Sequence, residues 1–225
     1  YPLFESLAHD AGVEVVHYRC PPEEGFLPSI DDILDLLRSG VRAVVVISPN
    51  NPTGIVSPSV VMREIDRLCR RHGAIVIRDE VFSGTVEEAS APPPAVVPLA
   101  TPESLTFRLN GLSKLAAAPD LKVGWIVVEG GTQAERREAA EHLDLRHDTY
   151  LTVSTFAEAA LPVFLGEEGR EWLEFVRQTT LERRGLFDRF VDGAPFLTDQ
   201  TPRTGVRGGI HRVLEVDPLF ASERW

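Results

Sequence analysis

Residues 41–54 read VRAVVVISPNNPTG, and the fold is decided there. Apart from Arg42, the segment Val41 to Ile47 is apolar and ends in four consecutive β-branched residues, Val44 to Ile47. A run without polar alternation is the pattern of a strand covered on both faces, as in parallel sheets. Ser48-Pro49-Asn50-Asn51-Pro52-Thr53-Gly54 follows at once and is built from turn-forming residues. In open α/β sheets ligands bind just outside the carboxyl ends of strands, so this turn is a candidate binding loop.

The elements on either side support that setting. Upstream, residues 3–12 read as a helix after Pro2, and Val13-Glu14-Val15-Val16 reads as a strand. Ser29 with Asp32 resembles a capping box, with Ile33, Leu36 and Leu37 at helical spacing behind it. Downstream, Ser57-Pro58 reads as an N-cap and first helical position, the helix runs to about His72, and Gly73 is placed to end it. Ala74 to Ile77 is another short buried strand. Helices alternating with buried strands predict an α/β fold, three layers with a largely parallel sheet flanked by helices. A proline-rich loop covers roughly 89–98, and Ser104 to Leu109 and Val123 to Val128 read as further strands. Helices are expected over 132–146, 151–165 and 168–191, the last with Trp172, Phe175, Val176, Leu186 and Phe190 as its apolar face. Ile210 to Val216 reads as a final strand.

Composition narrows the function. The chain has 225 residues and a formal net charge of −11, which argues against nucleic acid or an anionic membrane surface as the main partner. No apolar run approaches a membrane span. Two cysteines, Cys20 and Cys69, make neither a disulfide framework nor a zinc pattern, so a reducing, cytoplasmic compartment is expected. The six histidines show no metal-ligand spacing, and no G-x-S-x-G, Walker A or G-x-G-x-x-G motif is present. The chain opens Tyr1-Pro2-Leu3-Phe4 and its one methionine is Met62, so it is expected to be an internal piece of something longer.

Three segments stand out, each following a predicted strand: Ser48 to Gly54, Arg78-Asp79-Glu80-Val81-Phe82, and Asn110-Gly111-Leu112-Ser113-Lys114. Taken singly each has a plain reading, as a tight turn, a surface or capping carboxylate, and a solvated lysine. Together they bring an amide, a carboxylate and a lysine to three strand ends. In that order and spacing they resemble the class I/II aminotransferases. Asn50-Asn51-Pro52-Thr53-Gly54 matches the N-P-T-G signature, and Asp79-Glu80-Val81-Phe82 matches D-E-V-Y/F. Gly111-Leu112-Ser113-Lys114 with Lys122-Val123-Gly124-Trp125 matches S/G-L-S-K…R-x-G-W. Asp148-Thr149-Tyr150-Leu151-Thr152-Val153-Ser154-Thr155 resembles a further segment of such proteins, which sets Tyr150 either near the site or in packing.

The resemblance implies the large domain of a fold-type I pyridoxal 5'-phosphate enzyme over 1–165, a linking helix over 166–192 and part of a small domain over 193–225. It implies a Schiff base on Lys114, whose freed amine then moves the proton. Asp79 would keep the pyridine nitrogen protonated, Asn51 would donate to the phenolic oxygen, Lys122 would bind the phosphate, and Ser113 would be a further cofactor contact. Substrates would be an amino acid and a 2-oxo acid, and the full-length protein would be a homodimer. Lys122 stands where an arginine is usual and cannot form a two-pronged fork, Phe82 lacks the hydroxyl of the tyrosine many members have, and Gly111 replaces the serine that some members use on the phosphate, though others have glycine there too. The stretch upstream of Tyr1 and the carboxylate-clamping arginine downstream are not matched, and Arg203, Arg207, Arg212 and Arg224 read as surface residues. Carbon–sulfur lyase chemistry on the same cofactor, or a non-catalytic remnant or sensor, are the alternative readings; a nucleotide-binding doubly wound domain lacks its glycine fingerprint.

Overall fold

The computed structural model describes residues 2–87, 102–150, 153–201 and 206–221. The proline-rich segment Pro92-Pro93-Pro94, Leu151, Thr152, Arg203 and Arg224 lie outside them. In chain order the elements are α1 (Pro2–Asp10), α2 (Ile30–Arg38), β1 (Ala43–Ile47), α3 (Ser59–His72), β2 (Ile75–Asp79), β3 (Thr106–Gly111), α4 (Leu112–Leu115) and β4 (Gly124–Glu129). They continue with α5 (Gln133–Tyr150), α6 (Thr155–Leu165), α7 (Arg170–Asp192), β5 (Leu197–Asp199), β6 (Leu214–Val216) and α8 (Pro218–Ala221).

The sheet runs in the order β1-β2-β3-β4. β1, β2 and β3 are mutually parallel, and β4 returns antiparallel to β3. The α/β expectation therefore holds, with one reversed strand. The register pairs Ile47 with Asp79, Asp79 with Leu109, and Gly111 with Gly124. The ladder continues past the strand ends, where the Ser48 N–H donates to the Asp79 carbonyl (3.0 Å) and the Glu80 N–H to the Leu109 carbonyl (2.9 Å). Every chain segment that leaves the carboxyl ends of β1, β2 and β3 thus emerges at one edge.

One core cluster joins Ile33 and Leu37 of α2, Val44 and Val46 of β1, Met62, Ile65, Leu68 and Cys69 of α3, and Val76 of β2. Burying an aliphatic side chain of this kind is worth roughly 1.5–3 kcal/mol, so α2 and α3 are held mainly by this stripe. The ends of α2 and α3 follow local chemistry. The Ser29 hydroxyl accepts from the Asp32 N–H at the start of α2, as its capping pattern predicts. α3 ends at Gly73, whose φ of +65° is the left-handed conformation glycine adopts most cheaply. A second cluster, Leu112, Leu115, Ala116, Val123, Ala157 and Leu173, packs α4 between β4, α6 and α7.

Several expectations are corrected. Val13 to Val16 forms no strand, and Val13, Val15 and Val16 are exposed. β1 is not covered equally on both faces, since Val44 and Val46 are buried while Val45 and Ile47 are half-buried. Ser57 does not cap α3. Pro58 holds the cap position, and the Ser57 N–H is engaged by the Ser48 hydroxyl at 3.0 Å. β3 starts at Thr106, two residues later than expected, because the Ser104 N–H (3.0 Å) and hydroxyl both bond the Asp66 carboxylate of α3. The buried side of α7 is Leu173, Arg184 and Val191, whereas Trp172, Phe175, Leu186 and Phe190 are exposed.

Arg78 and Glu80 lie two apart and point away from the face that Asp79 uses. Arg78 Nη2 is 2.7 Å from Glu80 Oε1, and Arg108 Nη2 is 2.9 Å from Glu80 Oε2. Among the described residues Glu80 Oε1 has no aligned N–H donor, and its attraction to Arg78 is of charge to charge. Burial lowers the Arg78 pKa from its ordinary value while Glu80 opposes that shift.

Candidate active site

The turn after β1 is closed by its own backbone. The Gly54 N–H donates to the Asn50 carbonyl (2.8 Å), and the Asn50 N–H to the Ile55 carbonyl (2.8 Å). Asn50 Oδ1 accepts from the Thr53 hydroxyl at 2.9 Å. This engages Asn50 inside the turn, while Asn51 is half-buried beside it. Gly54 has φ +72°, and a Cβ there would lie 2.5 Å from the Gly208 carbonyl oxygen. Both the conformation and the space require glycine.

Asp79 ends β2, half-buried, with Oδ1 accepting from the Val81 N–H at 3.2 Å. Burial pushes its carboxyl up from the ordinary value, and the Val81 N–H opposes that. Lys114 lies on α4 directly after β3, exposed between the buried Leu112 and Leu115. Ser113 is half-buried next to it. The Leu112 N–H donates to the Val123 carbonyl at 3.1 Å, which brings the Lys122–Val123 segment beside the start of α4. Lys122 is exposed and holds φ +51°, an uncommon conformation for a residue with a Cβ. A Cβ at Gly111 would lie 2.8 Å from the Val123 carbonyl oxygen, so a serine there would not fit without a shift. All five residues expected at the site thus belong to segments that meet at one edge of the sheet. Tyr150 is exposed at the end of α5.

Sequence reasoning missed the segment 206–212, which forms a wall between two of these loops. The Gly208 N–H donates to the Gly54 carbonyl (2.7 Å), and the Gly209 N–H to the Thr85 hydroxyl (2.6 Å). The His211 ring meets Phe82 edge to face, 5.7 Å between centroids. Arg207 and Arg212 are not surface residues. Arg207 Nη2 is 3.3 Å from Glu87 Oε1, and Arg212 Nε is 3.4 Å from Asp188 Oδ1, with both side chains largely buried. They lie inward because the wall packs under α7, whose Arg184 reaches Glu87 (2.9 Å) and the Thr85 (2.9 Å) and Gly209 (2.7 Å) carbonyls. Adjacent Gly208 and Gly209 were the available signal for such a close backbone approach.

A half-buried carboxyl, an exposed amine, an amide and a second cation around one sheet edge fit an anionic aromatic cofactor that carries a basic ring nitrogen. Among the described residues no group of His, Cys, Asp or Glu could hold a metal ion. The family model for aminotransferase class I and II matches residues 1–205. The chain belongs to that family. Aminotransferase class I and II brings with it pyridoxal phosphate. The chain is 31% identical over 166 residues to glutamate-pyruvate aminotransferase AlaA of Escherichia coli K12, covering 74% of this chain and 40% of that protein. An aminotransferase structure from Escherichia coli superposes with a TM-score of 0.79 at 26% identity, covering 98% of this chain and 53% of that one. Alanine aminotransferase from Pyrococcus furiosus gives 0.76 at 25% identity, covering 100% and 54%. The chain therefore spans about two fifths to one half of these aminotransferases.

Proposed function

We propose that the protein is a pyridoxal phosphate-dependent aminotransferase in which Lys114 carries the cofactor. What supports this is the convergence of the Asn51, Asp79 and Lys114 segments through the Ile47–Asp79–Leu109 register of three parallel strands. Bound there, the cofactor supplies an electron sink for the bond broken at the substrate's α-carbon.

The residues have distinct tasks. Asp79, poorly hydrated where it stands, gains from a positive neighbour, and its charge favours the protonated pyridine nitrogen. Asn51 would offer its amide N–H to the cofactor's phenolic oxygen. Lys122 would supply charge to the phosphate, with Ser113 as a hydroxyl partner. Lys114 would be the residue that holds the cofactor covalently, and its amine, when free, would be the base that holds and moves a proton at the substrate's α-carbon. The large domain covers 1–165, the linking helix 166–192 and part of the small domain 193–225. The full-length protein acts as a homodimer. A cytoplasmic setting suits the unpaired Cys20 and Cys69, and among the described residues no helix is long and apolar enough to cross a membrane.

The names of the relatives point to alanine or glutamate as donor, with pyruvate or 2-oxoglutarate as acceptor. The test is to assay full-length protein with these pairs and follow both the new amino acid and the new 2-oxo acid. Stoichiometric exchange over many turnovers is expected. Release of ammonia or sulfide without a new amino acid would instead indicate lyase chemistry, and cofactor binding without turnover a sensor.

A further inference from the structure

Lys114 has a long, exposed side chain, so its reach is set by where α4 is docked. Beyond its packing against α6 and α7, three contacts tie that helix and its junction with β3 to the neighbouring loops of the site. On one side the Leu112 N–H holds the Val123 carbonyl. On the other, the turn at Ser83–Thr85, just past Asp79, packs against α4 and makes a polar pair with the end of β3 that leads into it. The packing is close, since a Cβ on Gly84 would lie 2.6 Å from Leu115 Cδ1 and 3.7 Å from Leu115 Cα. The polar pair joins Asn110 Nδ2 to the Ser83 hydroxyl at 2.9 Å. Asn110 Oδ1 accepts the Gly111 N–H at 2.8 Å, and because a backbone N–H can only donate, this fixes which end of the amide faces Ser83. Ser83 is itself buried and anchored, its N–H donating to the Glu80 carbonyl at 2.9 Å.

We propose that Asn110 and Ser83 form a positioning pair that fixes the lysine-bearing helix α4 against the Asp79 loop. The inference rests on the reading of Lys114 and Asp79 given above. Asp79 and Ser83 share one loop, and Asn110 and Lys114 are four residues apart across a strand-to-helix junction. The hydrogen bond between Ser83 and Asn110 is therefore a short mechanical link between the carboxylate side and the amine side of the site. Neither residue touches reacting atoms. Losing the link lets α4 shift, and a misplacement of about 1 Å at a reacting group costs up to about 10²-fold in rate.

The test uses full-length, cofactor-loaded protein carrying Asn110→Ala, Ser83→Ala and both together. Each single variant is expected to lower kcat about 10-fold or more with KM changed less than about 3-fold. Each also displaces the pH midpoint of the bound cofactor's absorbance by about half a unit or more, because the amine's surroundings change. The double variant is no worse than the poorer single one, as expected for two residues acting through one contact. A role in stability alone would lower the melting temperature and leave kcat per loaded site and the absorbance midpoint unmoved, and that result overturns the proposal, as does simple addition of the two effects. Ser83→Ala removes one hydroxyl and leaves the turn's backbone bonds, so it keeps the test decisive should Asn110→Ala not fold. Borohydride reduction of the wild-type protein separates two failures. Label absent from Lys114 sinks the cofactor reading and this pair with it, and label on Lys114 with unaltered variants sinks the pair alone.

Discussion

At the scale of single residues, Asp79 carries the clearest conflict between stability and function. Its carboxyl is held above its ordinary value of 3.8 by burial. The folded state therefore binds a proton more tightly than the unfolded chain, and the stability this contributes is present below about the unfolded value and lost as pH rises through the folded one. At neutral pH the ionised carboxylate is a cost. In cofactor-free, full-length protein, Asp79→Asn is expected to melt no lower than wild type at pH 7, with any advantage shrinking as pH falls towards 4 (calorimetry across pH). The same variant should lose turnover on the order of 10²-fold or more, the scale of removing one preorganised charge partner. Near-normal transamination would remove Asp79 from its role. Lys122 offers a cleaner charge test, because alanine there bears the same left-handed backbone cost. Lys122→Ala should weaken cofactor binding about 10- to 100-fold, matching about 1.5–3 kcal/mol for a hydrogen bond to a charged group. Titration of cofactor-free protein by absorbance measures this, and an unchanged Kd would make Lys122 a bystander. The candidate residues were legible in the sequence because the chemistry demands particular types at particular strand ends. Asn110 was not, since its use depends on Ser83 lying opposite, which no local pattern records.

At the scale of elements, patterns that form locally were readable, and those that need a distant partner were not. The cap at Ser29, the stop at Gly73 and the run at Val44–Ile47 act within a few residues. Val13 to Val16 has strand composition but makes no strand pairing. Likewise the wall at 206–212 is held by Arg184, Glu87 and Asp188, far away in sequence, so its arginines looked like surface charges. The buried charges beneath β2 and β3 give a sharp prediction. Glu80→Gln takes the close counter-charge from the buried Arg78, while Arg108 keeps Glu129 at 3.6 Å, and should cost about 3–5 kcal/mol, the penalty for orphaning a buried charge. Denaturant unfolding of cofactor-free protein measures it, and a loss below about 1 kcal/mol would show that water or another group compensates.

At the scale of the whole molecule, residues 1–225 present much apolar surface. Phe156, Phe175, Leu186, Phe190, Ile210, Val216 and Leu219 are all exposed. Wherever such side chains adjoin, apolar surface is the mark of an interface or of an aggregation hazard. Expressed alone, these 225 residues are expected to self-associate and to lack multiple turnover with pyridoxal phosphate, alanine and 2-oxoglutarate. Light scattering and a coupled assay check both, and a monodisperse, active 225-residue protein would show that the essential parts already lie within it. The central claim, that Lys114 is the cofactor's covalent anchor, is tested most directly by chemical trapping. Full-length protein incubated with pyridoxal phosphate is reduced with borohydride, digested, and mapped by mass spectrometry. A pyridoxyl group on Lys114 is the predicted result, and a label on Lys122, or no label at all, contradicts it.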